Sequence, residues 1–242
     1  MMYRMASVLL FAAALAATTS MTSMTYAAII AGWDQNDNEI SPGVFGFLPT
    51  DFPQANDHGP ASAAYTIADF DATTGGSGEY TTVASFAGTT ENDLEGAGSG
   101  GSFSFVGDVN NGAKSVFAVP TAGYTDINIS WAQRGTSTGY TSRVFEYSVD
   151  GGSNWVDIGA YSGSSGALTS TWGTVSLDFS AIDALEDNAD AMFRITYDGA
   201  SSGSGNNRWD NFYVQGVAVP EPAAVLLLGF AGVALASIAR RR

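Results

Sequence analysis

Through the middle of this chain apolar and polar side chains alternate one by one, and that rhythm leaves little room for helices. In residues 126–134 (DINISWAQR), Ile127, Ile129 and Trp131 alternate with polar neighbours. In 143–149 (RVFEYSV), Phe145, Tyr147 and Val149 fall on one side, and in 174–179 (TVSLDF) Val175, Leu177 and Phe179 do the same. Residues 191–197 (AMFRITY) and 209–217 (WDNFYVQGV) are likewise rich in β-branched and aromatic side chains. Successive side chains of a strand point to opposite faces, so a period of two makes one dry face and one wet face. Each stretch is bounded by Gly, Ser, Asn or Asp, as strands are.

Further strands are expected at 63–67, 80–86, 102–106 and 114–119. About nine or ten short strands predict an all-β, jelly-roll-like β-sandwich. One stretch reads as helical. Ser180 can cap a short crossover over 180–185, with Asp183 three residues on. Glycine-rich segments at 73–79, 95–102 and 162–166 read as loops. No repeat of fixed period and no linker divides residues 28–219, which read as one domain. The chain has no cysteine, which excludes disulfides, thiol nucleophiles and thiolate metal sites. A body of this size can bury enough apolar surface without them.

The two ends have a different character. Arg4 precedes a short apolar run, VLLFAAALAA, and a polar stretch that closes on Thr25-Tyr26-Ala27. The small residues Thr25 and Ala27 suit a signal peptidase, so residues 1–27 read as a signal peptide cut after Ala27. At the other end Pro220-Glu221-Pro222 leads into an uncharged apolar run, 223–239, and then Arg240-Arg241-Arg242. At about 1.5 Å per residue the run nearly crosses a hydrocarbon core of roughly 30 Å. The arginines would hold its end in the cytoplasm, with the body outside. Pro-Glu-Pro, an apolar helix and a terminal arginine cluster resemble the PEP-CTERM sorting signal of Gram-negative bacteria. The resemblance covers only the last two dozen or so residues. It implies export across the inner membrane and transient anchoring by the tail. It also implies processing at 220–222 by an exosortase-type membrane protease, and delivery to a cell surface or matrix that holds exopolysaccharide.

Nine basic and 24 acidic residues give a formal charge of −15. Arg4 and the three terminal arginines belong to the ends, so the body keeps only Lys114, Arg134, Arg143, Arg194 and Arg208. Such a body has no basic patch to displace the counterions of nucleic acid, and nucleic acid is excluded as a partner. The segment 148–155 (SVDGGSNW) resembles the Asp box, Ser-x-Asp-x-Gly-x-x-Trp, found in sialidases. A propeller would carry several copies, and this chain carries one. In a hairpin, Ser148 and Asp150 would hold turn amides, Gly152 would supply a positive φ, and Trp155 would fold back as an apolar plug.

Oxygen-bearing side chains gather at 33–39 (WDQNDNE), and Arg208-Trp209-Asp210-Asn211 opens the last strand. If first and last strands are neighbours, Asp34 and Asp210 could share a structural calcium ion, the one cofactor these residues suggest. The alternative is a pair of solvated acidic turns. His58, the single histidine, is expected to be solvated in its loop. A sugar-binding face would need exposed aromatics, for which Trp131, Tyr140, Tyr161, Trp172 and Trp209 are candidates. Tyr140 and Tyr161, in turn-rich stretches, are those expected at the surface. No carboxylate pair, nucleophile–base pair or phosphate loop stands out. The residues therefore point to a non-enzymatic exported sandwich. The alternative is a carbohydrate-active module, either a binding domain or a polysaccharide hydrolase.

Overall fold

A computed structural model of the chain describes residues 27–37, 39–41 and 44–219. The expected signal peptide other than Ala27, the Pro220-Glu221-Pro222 motif, the apolar run and the terminal arginines lie outside the described residues. Among the described residues no helix is long and apolar enough to cross a membrane.

The strands are β1 (Ala28–Trp33), β2 (Glu39–Ser41), β3 (Val44–Phe45), β4 (Gln54–Ala55), β5 (Ala64–Ala68), β6 (Val83–Ala87) and β7 (Gly101–Val106). They continue as β8 (Lys114–Ala118), β9 (Tyr124–Gly135), β10 (Ser142–Ser148), β11 (Val156–Asp157), β12 (Gly173–Asp178), β13 (Met192–Asp198) and β14 (Asn206–Ala218). Two antiparallel sheets of six strands pack face to face, as the alternation predicts. One runs β12-β9-β14-β7-β6 with β1 also on β14, and the other runs β11-β10-β13-β8-β5-β4. A small hairpin of β2 and β3 completes the set. The nine stretches expected as strands all contain strands. The additions are β1 and four pieces of two or three residues, too short to show a period. The expected crossover helix is only a single 3-10 turn, Asp183–Leu185. Ser180 does not cap it; instead the Ser180 N–H donates to Asp178 at 2.9 Å.

Strand β14 organises its sheet. One of its edges pairs with β9 along nearly its whole length. Its other edge is shared: β7 pairs with residues 206–209, and β1 pairs with 212–216. The break between the two partners falls at Asp210 and Asn211. Here β14 also bulges, because Asp210 pairs with Ala132 while Tyr213 pairs with Ser130. Three steps on β14 are matched to two on β9. Asn211 absorbs the extra residue with φ +50, a conformation that asparagine tolerates better than most.

The bulge changes which side chains face inward. Strict alternation would send Trp209 and Phe212 to opposite faces, but both reach the core. Phe212 stacks on Phe117 of the opposite sheet with centroids 3.8 Å apart and planes 2° from parallel. Trp33, Trp131 and Trp209 surround that stack. Such contacts add to the burial of large apolar surface. Replacing Phe212 with Ala is therefore expected to cost about 3–5 kcal/mol in urea unfolding. Phe45→Ala, at a side chain 50% exposed, should cost under about 0.5 kcal/mol. Equal midpoints for the two variants would refute this account of the core.

Candidate functional site

The residues that the bulge turns outward meet the start of the chain. β1 pairs with β14, so the first and last long strands are neighbours, as the calcium reading requires. The segment 57–61 runs along the other side of β1, where the Gly32 N–H donates to the His58 carbonyl at 2.9 Å. The Tyr213 ring lies flat over Gly32. A Cβ there would come within 2.4 Å of the ring, so no other residue fits. His58 packs beside that ring with centroids 5.8 Å apart. Its Nε2 is 2.9 Å from Asp34 Oδ2, so His58 is engaged rather than solvated. The second Asp34 oxygen accepts the Asn36 N–H at 3.0 Å.

Asp210 sits beneath the loop 88–100 and is 1% exposed. Its carboxylate accepts the Thr89 N–H at 2.7 Å and the Asn211 N–H at 2.8 Å. Burial still pushes its pKa up to about 8; the two amides oppose the rise, and the charges of Asp34 and Asp93 add to it. Asp34 and Asp210 are thus close enough to feel each other, but they sit in different settings. Asp34 belongs to the histidine, and Asp210 belongs to the loop. In front of Gly88 three oxygens converge: a Cβ there would be 2.0 Å from Gly101 O, 2.3 Å from Ser99 O and 2.4 Å from Asp210 Oδ2. The two carbonyls carry no side-chain signal, so only the glycine could have hinted at them. Among the described residues no group of three or more His, Asp or Glu side chains gathers to hold a metal.

The loop itself is tied down at both ends. Asp93 accepts the amides of residues 95–98. Asn92 donates to Ser130 of β9 and to the Asn211 carbonyl. Glu91 reaches Thr174 of β12. The loop therefore crosses the outer face of the sheet from β6 to β12.

Residues 148–155 form a turn held by their own side chains. Ser148 Oγ accepts the Gly152 N–H at 2.9 Å, and Asp150 accepts the Asn154 N–H at 2.8 Å. Gly152 has φ +85. The Asn154 side chain and amide, with Ser148, hold the Asp150 carboxyl down at about 2. Trp155 departs from the expected plug. Its ring rests on Gly152 but stays half-exposed outside the core, with the Arg194 guanidinium 4.1 Å over its centroid. Arg194 is in turn gripped by both oxygens of Glu146.

The aromatic candidates separate clearly. Trp131, Tyr140 and Trp209 are buried, at 1%, 0% and 1% exposure. Tyr140, expected at the surface, instead donates its hydroxyl to the Gly107 carbonyl inside the fold. Tyr161 is half-buried against the core beside Trp131 and Phe145. Trp172 alone of the five stands on an outer face, half-exposed, with Arg134 5.6 Å from its ring.

No family model and no curated protein matches the chain. Solved structures similar to it include the CBM22-1 xylan-binding domain of Paenibacillus barcinonensis Xyn10C. That match has 11% identity and a TM-score of 0.44, over 81% of this chain and 99% of that one. TmCBM61 in complex with β-1,4-galactotriose matches with 9% identity and a TM-score of 0.35, over 62% and 86%. The K2 cleaved adhesin domain of Lys-gingipain matches with 11% identity and a TM-score of 0.39, over 66% and 93%. Likeness at this level carries no argument about ligand or activity.

The buried carboxyl of Asp210 predicts a definite pH dependence. In the unfolded chain an aspartate titrates near 3.9, whereas in the fold this one titrates near 8. The folded state therefore holds the proton more tightly. That contribution is complete below about pH 4 and is lost as the pH rises towards 8. At about 1.4 kcal/mol per unit, several kcal/mol are involved. Urea unfolding in chelator should show stability falling between pH 5 and 8.5, and Asp210→Asn should flatten the fall. A variant with the same slope as the parent would remove Asp210 as the cause.

Proposed function

We propose that the chain is an exported, non-catalytic sandwich of the cell surface or extracellular matrix. It binds polysaccharide on the outer face of the β9–β14 sheet. The observation that carries this reading is the position of Trp172. The fold takes three of its five tryptophans into the core, and Arg194 caps Trp155. Trp172, over which Arg134 stands farther off at 5.6 Å, keeps a half-exposed indole between the exposed residues Thr171 and Gly173, where a sugar ring can stack on it. A hydrolase at the acidic centre is the weaker reading. Asp34 and Asp210 are 8% and 1% exposed, so a glycosidic bond cannot reach them. Purified full-length protein should bind members of a polysaccharide panel, and Trp172→Ala should weaken that binding about tenfold or more. Unchanged binding by the variant would reject this face as the platform.

Export and sorting fit the geometry of the ends. Ala27 is exposed directly before β1, an accessible place for signal peptidase. Ala28 lies opposite Gly216, so both membrane-directed segments leave the fold at one end. In this reading an exosortase-type protease then cuts near Pro220 to Pro222. Mass spectrometry of the protein from its native envelope should find a C-terminus there, and an intact Arg242 would rule processing out.

A structural calcium belongs to the same proposal. Asp210 Oδ2, Ser99 O and Gly101 O are hard oxygen donors crowded around Gly88, and a divalent cation beside them would neutralise the buried carboxylate. Asp34, occupied by His58, would act only through its charge. Repeating the pH series with calcium in place of chelator should abolish the loss of stability in the parent protein. A curve unaltered by calcium would exclude the ion.

A further inference from the structure

Three of the five basic side chains in the body are engaged within the fold, two by carboxylates and one by backbone carbonyls. Lys114 pairs with Asp69, and Arg194 pairs with Glu146. Arg143 is 2% exposed and donates to the carbonyls of Tyr140, Gly163 and Gly166. The other two, Arg134 on β9 and Arg208 on β14, are directly opposite each other in the ladder. Like charges opposed across a strand pair destabilise a sheet. No described carboxylate lies within salt-bridge distance of either arginine, although the chain carries 24 acidic residues.

Both arginines are half-exposed on the same outer face. Each guanidinium lies over an aromatic ring: Arg134 over Trp172 at 5.6 Å, and Arg208 over Phe86 at 3.9 Å. The row Trp172, Arg134, Arg208, Phe86 spans the sheet from the β12 side to β6. With strands about 4.8 Å apart, that is roughly 19 Å, enough for several sugar units. The loop 88–100 borders the row along its length. Thr174, Asp210 and Gly88, which the loop covers or includes, each lie two positions from a member of the row. Glu91 of the loop accepts the Thr174 hydroxyl at 3.1 Å.

We infer that this row is a binding site for a sparsely charged acidic polysaccharide, in which Arg134 and Arg208 hold the carboxylate of a uronic acid unit, Phe86 supports Arg208 from below, and a neighbouring sugar lies on Trp172. The inference rests on the polysaccharide-binding reading above and names its substrate class. Arginine guanidinium groups present paired N–H donors that match a carboxylate. A bound anion would also relieve the repulsion between the two cations. The strongly acidic body selects against dense polyanions, whose every unit would meet its field. A chain with one carboxylate among several neutral sugars suffers least.

The test uses the purified full-length chain and gellan, which has a glucuronate in each repeat. The same polymer after carboxyl reduction serves as its neutral twin. Gellan should bind more tightly than reduced gellan. Arg134→Ala and Arg208→Ala should each weaken gellan binding about tenfold or more and abolish the preference for the acidic form. Arg134→Lys, which keeps the charge but not the paired donors, should weaken it as well. A melt equal to that of the parent establishes that each variant is folded. Tight binding to both polymers that the arginine variants leave unchanged would overturn the inference while leaving the polysaccharide reading intact. Failure to bind either polymer or any neutral member of the panel would remove both. Equal, arginine-dependent binding to single-stranded DNA would make the row a general anion site and overturn the assignment to uronic acids.

Discussion

A strand in an antiparallel sheet presents its side chains alternately to the two faces, so Trp209 and Phe212, three apart, could not both be buried in a regular β14. The bulge at Asp210 and Asn211 lifts that constraint. With one extra residue looped out, Phe212 stacks on Phe117 of the opposite sheet and Trp209 packs beside it. The aromatic core between the sheets depends on this local fault in the ladder. The fault also determines what the outside looks like, since Asp210, Asn211 and Tyr213 all turn away from the core.

The remainder of the acidic centre follows from what the bulge leaves open. β7 stops and β1 begins beside residues 210–211, so the break is filled by the loop 88–100. Asn211 donates to the Thr89 and Glu91 carbonyls, and Asp210 takes up the Thr89 amide. The loop excludes water from the carboxylate, which raises its pKa. It also brings the carbonyls of Ser99 and Gly101 to within reach of the same oxygen. The backbone thus places carbonyl acceptors near a buried acid.

The same loop divides the outer face into a covered middle and an open margin. Trp172, Arg134, Arg208 and Phe86 lie along that margin, next to residues that the loop holds. A cation bound at Asp210 would stiffen the loop and so the border of the proposed sugar site. In that reading, ligand affinity and the acidic centre would be joined by one element.

Much of the fold was legible in the chain, because periodicity reports the burial of alternate side chains wherever a strand is long enough to repeat. The nine stretches expected as strands were readable in this way, whereas β1 (Ala28–Trp33) was not among them. β11 and β4, each of two residues, contain no period to read. Side-chain exposure was less legible, since it depends on what packs above a position. Tyr140 lies in a turn-rich stretch yet is buried, because its hydroxyl finds a carbonyl at Gly107. His58 looked solvated but is bonded to Asp34, 24 residues away.

The sequence by itself determined the two-sheet class, the acidic character of the body and the small number of its basic residues. These follow from composition and from spacing along the chain, which no partner can change. Only the tertiary structure decided which aspartate belongs to the loop, which tryptophan stays outside and which two arginines face each other. Each of those outcomes depends on which segments pair or pack together across the sheet, and for the aspartate on the bulge that moves the side chains after Asn211 in β14 to the opposite face.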